Sequence, residues 1–391
     1  MLQHSTSLVT GFRRKIILCR IRIRIFRLAL AEFRSVKKTA RVFRDIIRFK
    51  KQYAGEERFK KLVKSCGKYY WQMHLPGFPS KAFDNHVLGL INRFAPIRSF
   101  HNQLTILYLG ITKKCPLSCK HCYAWAELNE EGELPVGEMK QIISTFQDRG
   151  LSQVCFLGGE PIMRFDDLLE MVRSIKPHTE SWISTSGYKI DREKSDALKK
   201  AGLTGVAISL DHFDPLKHND FRGSSHAYEW AVTATQNCTK SGLLTCWSIC
   251  VTRDILSREN LIAYAELAAS YQVNFIQLFE PMVAGRFSGM DVRIDNKGIR
   301  ILEEFYLKMN TDTNYSHLPI VVYPSYHQRR MGCLAFGNRY LYIDPDGCLH
   351  PCPFCRSSKK LRIFSQDLGQ LIEQAKDETC LFGKIHRLEE G

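Results

Sequence analysis

From Leu104 onward the chain repeats one pattern six times, a short apolar run followed by a helical stretch. The runs are LTILYLGI (104–111), QVCFLGG (153–159), SWISTSG (181–187), GVAISLD (205–211), LTCWSICVT (244–252) and NFIQLFEPM (274–282). Strands rich in apolar residues on both faces and alternating with helices predict a parallel sheet covered by those helices. Gly, Ser, Asp and Glu gather at the C-terminal ends of the runs, the rim at which a barrel of βα units binds its ligands. The expected fold class is α/β, a partial (β/α)6 barrel of the TIM type. No internal sequence repeat or low-complexity tract accompanies this structural one.

A chain of 391 residues, 44% hydrophobic and 11% aromatic, buries a large core and is long enough for two or three domains. Disorder is excluded by the same figures. The 14 cysteines, with no cleavable signal at the N-terminus, read as reduced thiols of a cytoplasmic protein rather than a disulfide framework. Such thiols are available to metal.

The net charge of +16 is unevenly placed. Between Met1 and Lys64 there are 19 Lys and Arg against 4 Asp and Glu, whereas the remainder has 37 against 36. In this first part Leu18, Ile21, Ile25, Leu28, Phe33, Val36, Ala40, Phe43 and Ile47 recur at helical steps. No apolar run reaches the roughly 18 residues of a spanning helix. Three readings follow for this basic amphipathic segment: peripheral contact with an anionic membrane surface, packing on the protein's own body, and binding of nucleic acid. The expected organisation is 1–65 basic helical extension, 66–103 linker or cover, 104–310 barrel, and 311–391 a small cysteine-rich β-hairpin and helix module.

CPLSCKHCY places Cys115, Cys119 and Cys122 in the loop after the first barrel strand. A disulfide would leave one thiol over, and structural zinc generally draws four ligands as two pairs. A [4Fe–4S] cube held by three thiolates leaves one iron open to a small molecule. The second run ends in Gly158, Gly159, Glu160 and Pro161, where two glycines admit close backbone approach and a carboxylate can accept from an ammonium group.

Cys-x-x-x-Cys-x-x-Cys in that loop, with His121 at the usually aromatic position before the last cysteine, resembles the radical S-adenosylmethionine superfamily. The resemblance runs from Leu104 to about Cys380. It implies that Cys115, Cys119 and Cys122 carry a [4Fe–4S] cluster and that S-adenosylmethionine chelates its open iron. Reductive cleavage then gives a 5′-deoxyadenosyl radical. Gly158, Gly159 and Glu160 resemble the family's GGE motif, implied to hold the methionine amino group. Ser184, with Thr185 and Ser186 beside it, and the pair Ser209 and Asp211 are implied to reach the methionine moiety or the ribose. Arg222, in NDFRG, resembles an arginine that engages the methionine carboxylate, a task suited to a bidentate fork. For Arg222 a surface salt bridge is the competing reading. Glu280 and Arg286, in FEPMVAGR, end the sixth strand and face the cofactor or substrate, with a structural ion pair as the competing reading.

Cys333, Cys348, Cys352, Cys355 and Cys380 form a second group around YLYID and CLHPC, which flank the turn residues Pro345, Asp346 and Gly347 and predict a hairpin. The order Cys333, thirteen residues, Gly347, four residues, Cys352 resembles the start of the SPASM or twitch domain, and implies an auxiliary [4Fe–4S] cluster. An extended CLHPC sets Cys348 and Cys352 roughly 13 Å apart, too far for one cube, and this favours Cys333, Cys352, Cys355 and Cys380. A bend at Pro351 readmits Cys348, and a zinc ribbon is the competing reading. Cys155, Cys238, Cys246 and Cys250 read as core.

Two functional classes follow. One is a radical enzyme that abstracts hydrogen from a peptide or small molecule, an oxidoreductase or maturase fed electrons by a flavodoxin or ferredoxin. The other is a non-catalytic iron–sulfur or redox-sensing protein, which needs neither GGEP nor the barrel. Related SPASM enzymes mature ribosomal peptides, activate sulfatases or act on haem precursors. Membrane lipid and RNA are the remaining substrate classes.

Overall fold

The computed structural model describes residues 6–54, 59–97, 104–333, 335 and 339–376. The chain begins with β1 (Ser7–Val9), α1 (Gly11–Phe33), α2 (Val36–Ala54), β2 (Leu62–Ser65), β3 (Lys68–Tyr70) and α3 (Lys81–Phe94). β1, β2 and β3 form a small antiparallel sheet. The barrel region follows with β4 (Ile106–Gly110), α4 (Val136–Gln147), β5 (Gln153–Leu157), α5 (Phe165–Arg173), β6 (Glu180–Thr185), α6 (Arg192–Ala201) and β7 (Gly205–Ser209). It continues with α7 (Pro215–Arg222), α8 (Ala227–Lys240), β8 (Leu244–Cys250), α9 (Arg258–Ser270), β9 (Phe275–Phe279), α10 (Asn296–Thr311) and β10 (Ile320–Val322). The C-terminal part holds α11 (Pro324–Met331), β11 (Tyr340–Ile343), β12 (Leu349–His350) and α12 (Leu368–Lys376).

All six expected strands are present as β4 to β9, parallel and in sequence order. Two further parallel strands widen the sheet. β10 pairs with β9, and β11 pairs with β4 on the other side, Tyr340 beside Ile106 and Ile343 beside Leu109. The hairpin of the cysteine-rich module therefore forms, with Tyr342 opposite His350, but its first strand is also an edge of the barrel. The nine-stranded sheet runs from β10 at one edge to β12 at the other, a partial barrel left open between them. Leu107, Val154, Ile183, Val206, Trp247 and Ile276 project from its outer face into the main core with the helices.

The inner face is closed at its floor by the segment after β3. Tyr70 and Met73 pack with Ile106, Trp182, Leu244 and Phe275. Gln153 donates to the Met73 carbonyl at 2.7 Å, and the buried carboxylate of Glu180 takes Lys68, Tyr70 and the Gly77 amide. Without this plug the floor of an open barrel would be wet.

The N-terminal stripe is not one helix. Arg34 adopts a left-handed conformation (φ 48°) and its amide bonds to Leu30, ending α1 before Ser35 starts α2 through contacts to Lys38 and Thr39. The two helices fold back, with Phe26 edge-on to Phe43 at 5.8 Å. Ile21, with Leu18, Ile25, Leu28 and Phe33 around it, packs into a second core against Phe78, Phe83, Val87 and Ile91. Most of the expected stripe is thus packed on the protein's own body, while Val36 and Ile47 stay exposed.

Lys61, only 1% exposed, fastens this region to the barrel, donating to the carbonyls of Tyr315, Leu318 and Pro319 at 3.0, 2.7 and 2.9 Å. Burial pushes its pKa down to about 7, while the three carbonyls favour the ammonium form. Replacing Lys61 with Met strands three buried acceptors. Lys61→Met should lower unfolding stability by about 3 kcal/mol, read as a reduced midpoint in urea denaturation.

Candidate active site

The loop from Cys115 to Cys122 is shaped by contacts from four strand ends. Asn129 grips Cys115 at both its amide (2.9 Å) and its carbonyl (3.3 Å). Glu133 accepts from the Thr112 hydroxyl and the Lys113 amide, both at 2.6 Å. From below, β5 delivers Gly158 and Gly159: the Gly159 amide donates to the Thr112 carbonyl at 2.7 Å and the Glu160 amide to Lys114 at 2.8 Å. A Cβ on Gly158 would lie 2.4 Å from the Thr112 carbonyl, and one on Gly159 2.4 Å from that of Lys114. The two glycines are there because the cluster loop rests directly on them.

Two further contacts were not read from the sequence as loop supports. Gly223, at φ +70°, leaves no room for a side chain beside Ser118, and Phe221 accepts from the Lys120 amide. Gly285, at φ +58°, lies where a Cβ would meet the Cys122 carbonyl at 2.2 Å. Next to it Arg286 donates its amide to Cys122 and its guanidinium to Ser118, and stacks 4.1 Å over Trp125. Arg286 therefore pins the loop and does not pair with Glu280. The signal was present in the Ala-Gly-Arg step, but its partner is remote in sequence.

Glu160 is fully committed. Its carboxylate accepts from Thr185 (2.7 Å), from the Ser186 amide (2.8 Å) and hydroxyl (2.6 Å), and from the Ile162 amide (3.2 Å). Burial raises its pKa and these donors oppose the rise. It ties the end of β5 to that of β6. Ser184 and Ser209 line the cavity, and among the described residues neither hydroxyl has a protein partner.

Arg222 and Asp211 form a buried pair, Nε to Oδ2 at 2.6 Å, not a surface bridge. Burial works against Asp211 ionising, but Arg222, His121 and His218 outweigh it and its pKa is lowered. Arg222 also points Nη1 at Cys119 Sγ, 3.7 Å away. His121 stacks on Phe221 at 4.8 Å, its buried Nδ1 has no hydrogen-bond partner among the described residues, and burial lowers its pKa to about 4. Glu280 is held by Arg329 at 2.7 Å and by the Tyr323 hydroxyl, so it is part of a buried ion pair that also lines the cavity.

Cys115, Cys119 and Cys122 pack around Leu117, Ala227 and Trp230 and open onto a cavity of about 350 Å³. Burial pushes the Cys115 thiol up to about 12 and Cys122 up to about 11. Such thiols become thiolates only when a strong cation joins them, as cluster iron does. Three soft ligands, a guanidinium at one sulfur and a neutral imidazole with an unpartnered nitrogen fit a [4Fe–4S] cluster with a polar ligand beside it. Among the described residues no three His, Cys, Asp or Glu side chains are drawn in tightly enough for a single metal ion.

The same cavity is also lined by Cys333, Cys352 and Cys355. The Cys355 amide donates to Cys352 Sγ at 3.1 Å and the Ala335 amide to Cys333 Sγ at 3.5 Å, turns that present sulfur to a metal. The backbone does bend from Pro351 onward, yet Cys348 stays outside the cavity, bridged to Arg362. Cys380 lies outside the described residues. Cys155 and Cys250, expected in the core, are buried but also form part of the cavity wall, while Cys238 and Cys246 are core.

A parallel barrel with a three-cysteine loop over its rim and a cavity beneath defines the class of cluster-bearing barrel enzymes. The family profile described as "Radical SAM superfamily" matches residues 109–268, so this part of the chain is a radical SAM domain, of a family that uses a [4Fe–4S] cluster and S-adenosylmethionine. It is similar to "Fe-coproporphyrin III synthase" of Methanosarcina barkeri, 33% identical over 169 residues, covering 43% of this chain and 40% of that protein. "AdoMet-dependent heme synthase" of Nitratidesulfovibrio vulgaris is 26% identical over 270 residues, covering 62% and 72%. In fold it is similar to Streptococcus suis SuiB bound to its precursor peptide SuiA, with a TM-score of 0.59, 16% identity and coverage of 93% and 83%.

Because Gly159 carries the loop, Gly159→Ala should displace Lys114 and with it Cys115. Anaerobically reconstituted Gly159→Ala is expected to lose most of the roughly 400 nm charge-transfer absorbance of this cluster and about four irons per chain, with helix content unchanged by circular dichroism.

Proposed function

We propose that the protein reductively cleaves S-adenosylmethionine and uses the resulting radical to abstract hydrogen from a peptide or a small molecule, as a maturase or biosynthetic oxidoreductase. The observation carrying this reading is that two groups of three cysteines, Cys115, Cys119 and Cys122 and then Cys333, Cys352 and Cys355, line one cavity. When bound, the first cluster supplies the low-potential electron for cleavage of the sulfonium, and an auxiliary cluster would supply a second redox centre or substrate ligand.

The chain's own residues bind and orient. The unpartnered Ser184 and Ser209 hydroxyls reach a ribose or the methionine moiety. Backbone at Gly158 and Gly159 supports the amino group, with Glu160 holding that backbone in place. Arg222, fixed by Asp211, keeps the donors not used by Asp211 and Cys119 for a carboxylate. Cys380 is the proposed fourth auxiliary ligand.

A peptide substrate takes its motive from the SuiB complex with SuiA, and a tetrapyrrole or other small molecule from the haem-related names of the sequence relatives. The electron donor we assign is a flavodoxin or ferredoxin, and the place of action the cytoplasm, where the thiols stay reduced. The basic N-terminal helices are the part that meets an anionic partner.

Reconstituted enzyme given dithionite and S-adenosylmethionine should form 5′-deoxyadenosine. Replacing Cys115, Cys119 and Cys122 with Ala should remove about four irons and all cleavage, and unchanged cleavage would overturn the assignment. Replacing Cys352 and Cys355 should spare the first cluster and its cleavage while abolishing product formation. If the triple variant retains zinc in place of iron, the auxiliary site is a zinc ribbon.

A further inference from the structure

Folding the expected stripe inward leaves a second, narrower apolar strip on the outside of α1. Phe12, Ile16 and Ile23 are 76%, 46% and 51% exposed, and Cys19 between them is exposed too. At about 100° per residue these four positions fall within roughly 60° of one another. The same arithmetic sets Arg13, Arg20 and Arg27 along one flank and Lys15 and Arg22 along the other, all exposed. Among the described residues no carboxylate lies within ion-pair distance of Arg13, Lys15, Arg22 or Arg27, whereas Arg24 is spent on Asp84 at 2.6 Å. The inner face is already covered by α2 and α3, and of the flanking cations only Arg20 lies against that core, 6.0 Å over the Phe78 ring, so the strip and the other four are left to solvent among the described residues.

We propose that this face of α1 seats in the headgroup region of an anionic bilayer, Phe12, Ile16 and Ile23 at the acyl boundary and the flanking cations at the phosphates. A lipid surface is the partner that rewards both features at once, burying an apolar centre while it pairs a basic rim. The flanking stems are long enough to reach the phosphates while lying along the apolar centre. Nucleic acid would pair the cations but give nothing to two exposed isoleucines. No described helix is long and apolar enough to cross a membrane, so α1 lies on the surface. The proposal builds on the reading of the basic helices as anion-facing, and stands apart from the chemistry of the barrel.

Flotation of the full reconstituted chain with vesicles tests it without any turnover. Binding to phosphatidylcholine vesicles containing phosphatidylglycerol is expected, weakening with salt because exposed charges are screened within about 8 Å at physiological ionic strength. Changing Phe12, Ile16 and Ile23 together to Ser should lower vesicle affinity about tenfold or more, and Lys15→Glu with Arg22→Glu should do likewise. Because all five side chains are exposed, iron content and thermal midpoint should not change. In Phe12→Trp protein, lipids brominated on their acyl chains should quench the added fluorescence. Absence of flotation with the anionic vesicles, equal flotation of the Ser triple, or equal binding to phosphatidylcholine alone would overturn the proposal. So would a single-stranded RNA that binds more tightly than the vesicles and displaces them, or a strip covered by a second copy, seen as a dimer that the Ser triple dissolves.

Discussion

Everything at the rim depends on two backbone hydrogen bonds, from the Gly159 and Glu160 amides to the carbonyls of Thr112 and Lys114. They set the height of the cysteine loop above the sheet. Each requires approach closer than any Cβ permits, which is why the strand must end in two glycines. Glu160 then locks that end to β6 through Thr185 and Ser186, so loop, β5 and β6 are joined by a continuous set of hydrogen bonds. The same device recurs around the loop at Gly223 and Gly285, each replacing a side chain by contact with the loop. A loop clamped at Thr112, Lys114, Ser118 and Cys122 holds Cys115, Cys119 and Cys122 in place by backbone contact, the rigidity that the proposed three-thiolate cluster would need.

Charge at the site follows from burial more than from proximity. Burial drives the Cys115 and Cys122 thiols and His121 to their neutral forms, and the charge pair that touches the cysteine loop is Arg222 with Asp211. Asp211 also takes the Cys250 amide at 2.9 Å, which joins the ends of β7 and β8 as Glu160 joins those of β5 and β6. Two carboxylates at alternate seams thus hold the rim by different means, Glu160 with neutral donors and Asp211 with a cation. The cation faces the cluster loop.

The six barrel strands were legible because each is apolar on both faces and ends in a polar rim residue, a signal carried within a few residues. The cysteine spacing, the GGE step and the 345–347 turn are equally local. What escaped the sequence is what depends on distant partners. β10 is three residues long, and the pairing of β11 with β4 joins segments 234 residues apart, from Ile106 to Tyr340. Arg286 reads as a partner for Glu280 in one dimension and as a clamp on Cys122 in three. The N-terminal stripe was found, but a helical period does not reveal a reversal at Arg34. Nor does it say which of two apolar strips turns inward.

The plug beneath the barrel is made before the barrel exists. Tyr70 and Met73 precede β10, the last parallel strand on that side, by some 250 residues, so on the order of 10 to 50 s of synthesis separates the stopper from the completed opening it fills. In that interval Lys61 waits for carbonyls at 315, 318 and 319, and α3 packs first on α1 and α2 and then, through Asn85 and His86, on the segments at 150–152 and 178 as they emerge. The helical hairpin at the start of the chain gives the nascent segment a local core to shelter against. Completion of the fold then couples the first hundred residues to the last barrel strands, and a barrel begun at β4 would emerge with its floor open to water.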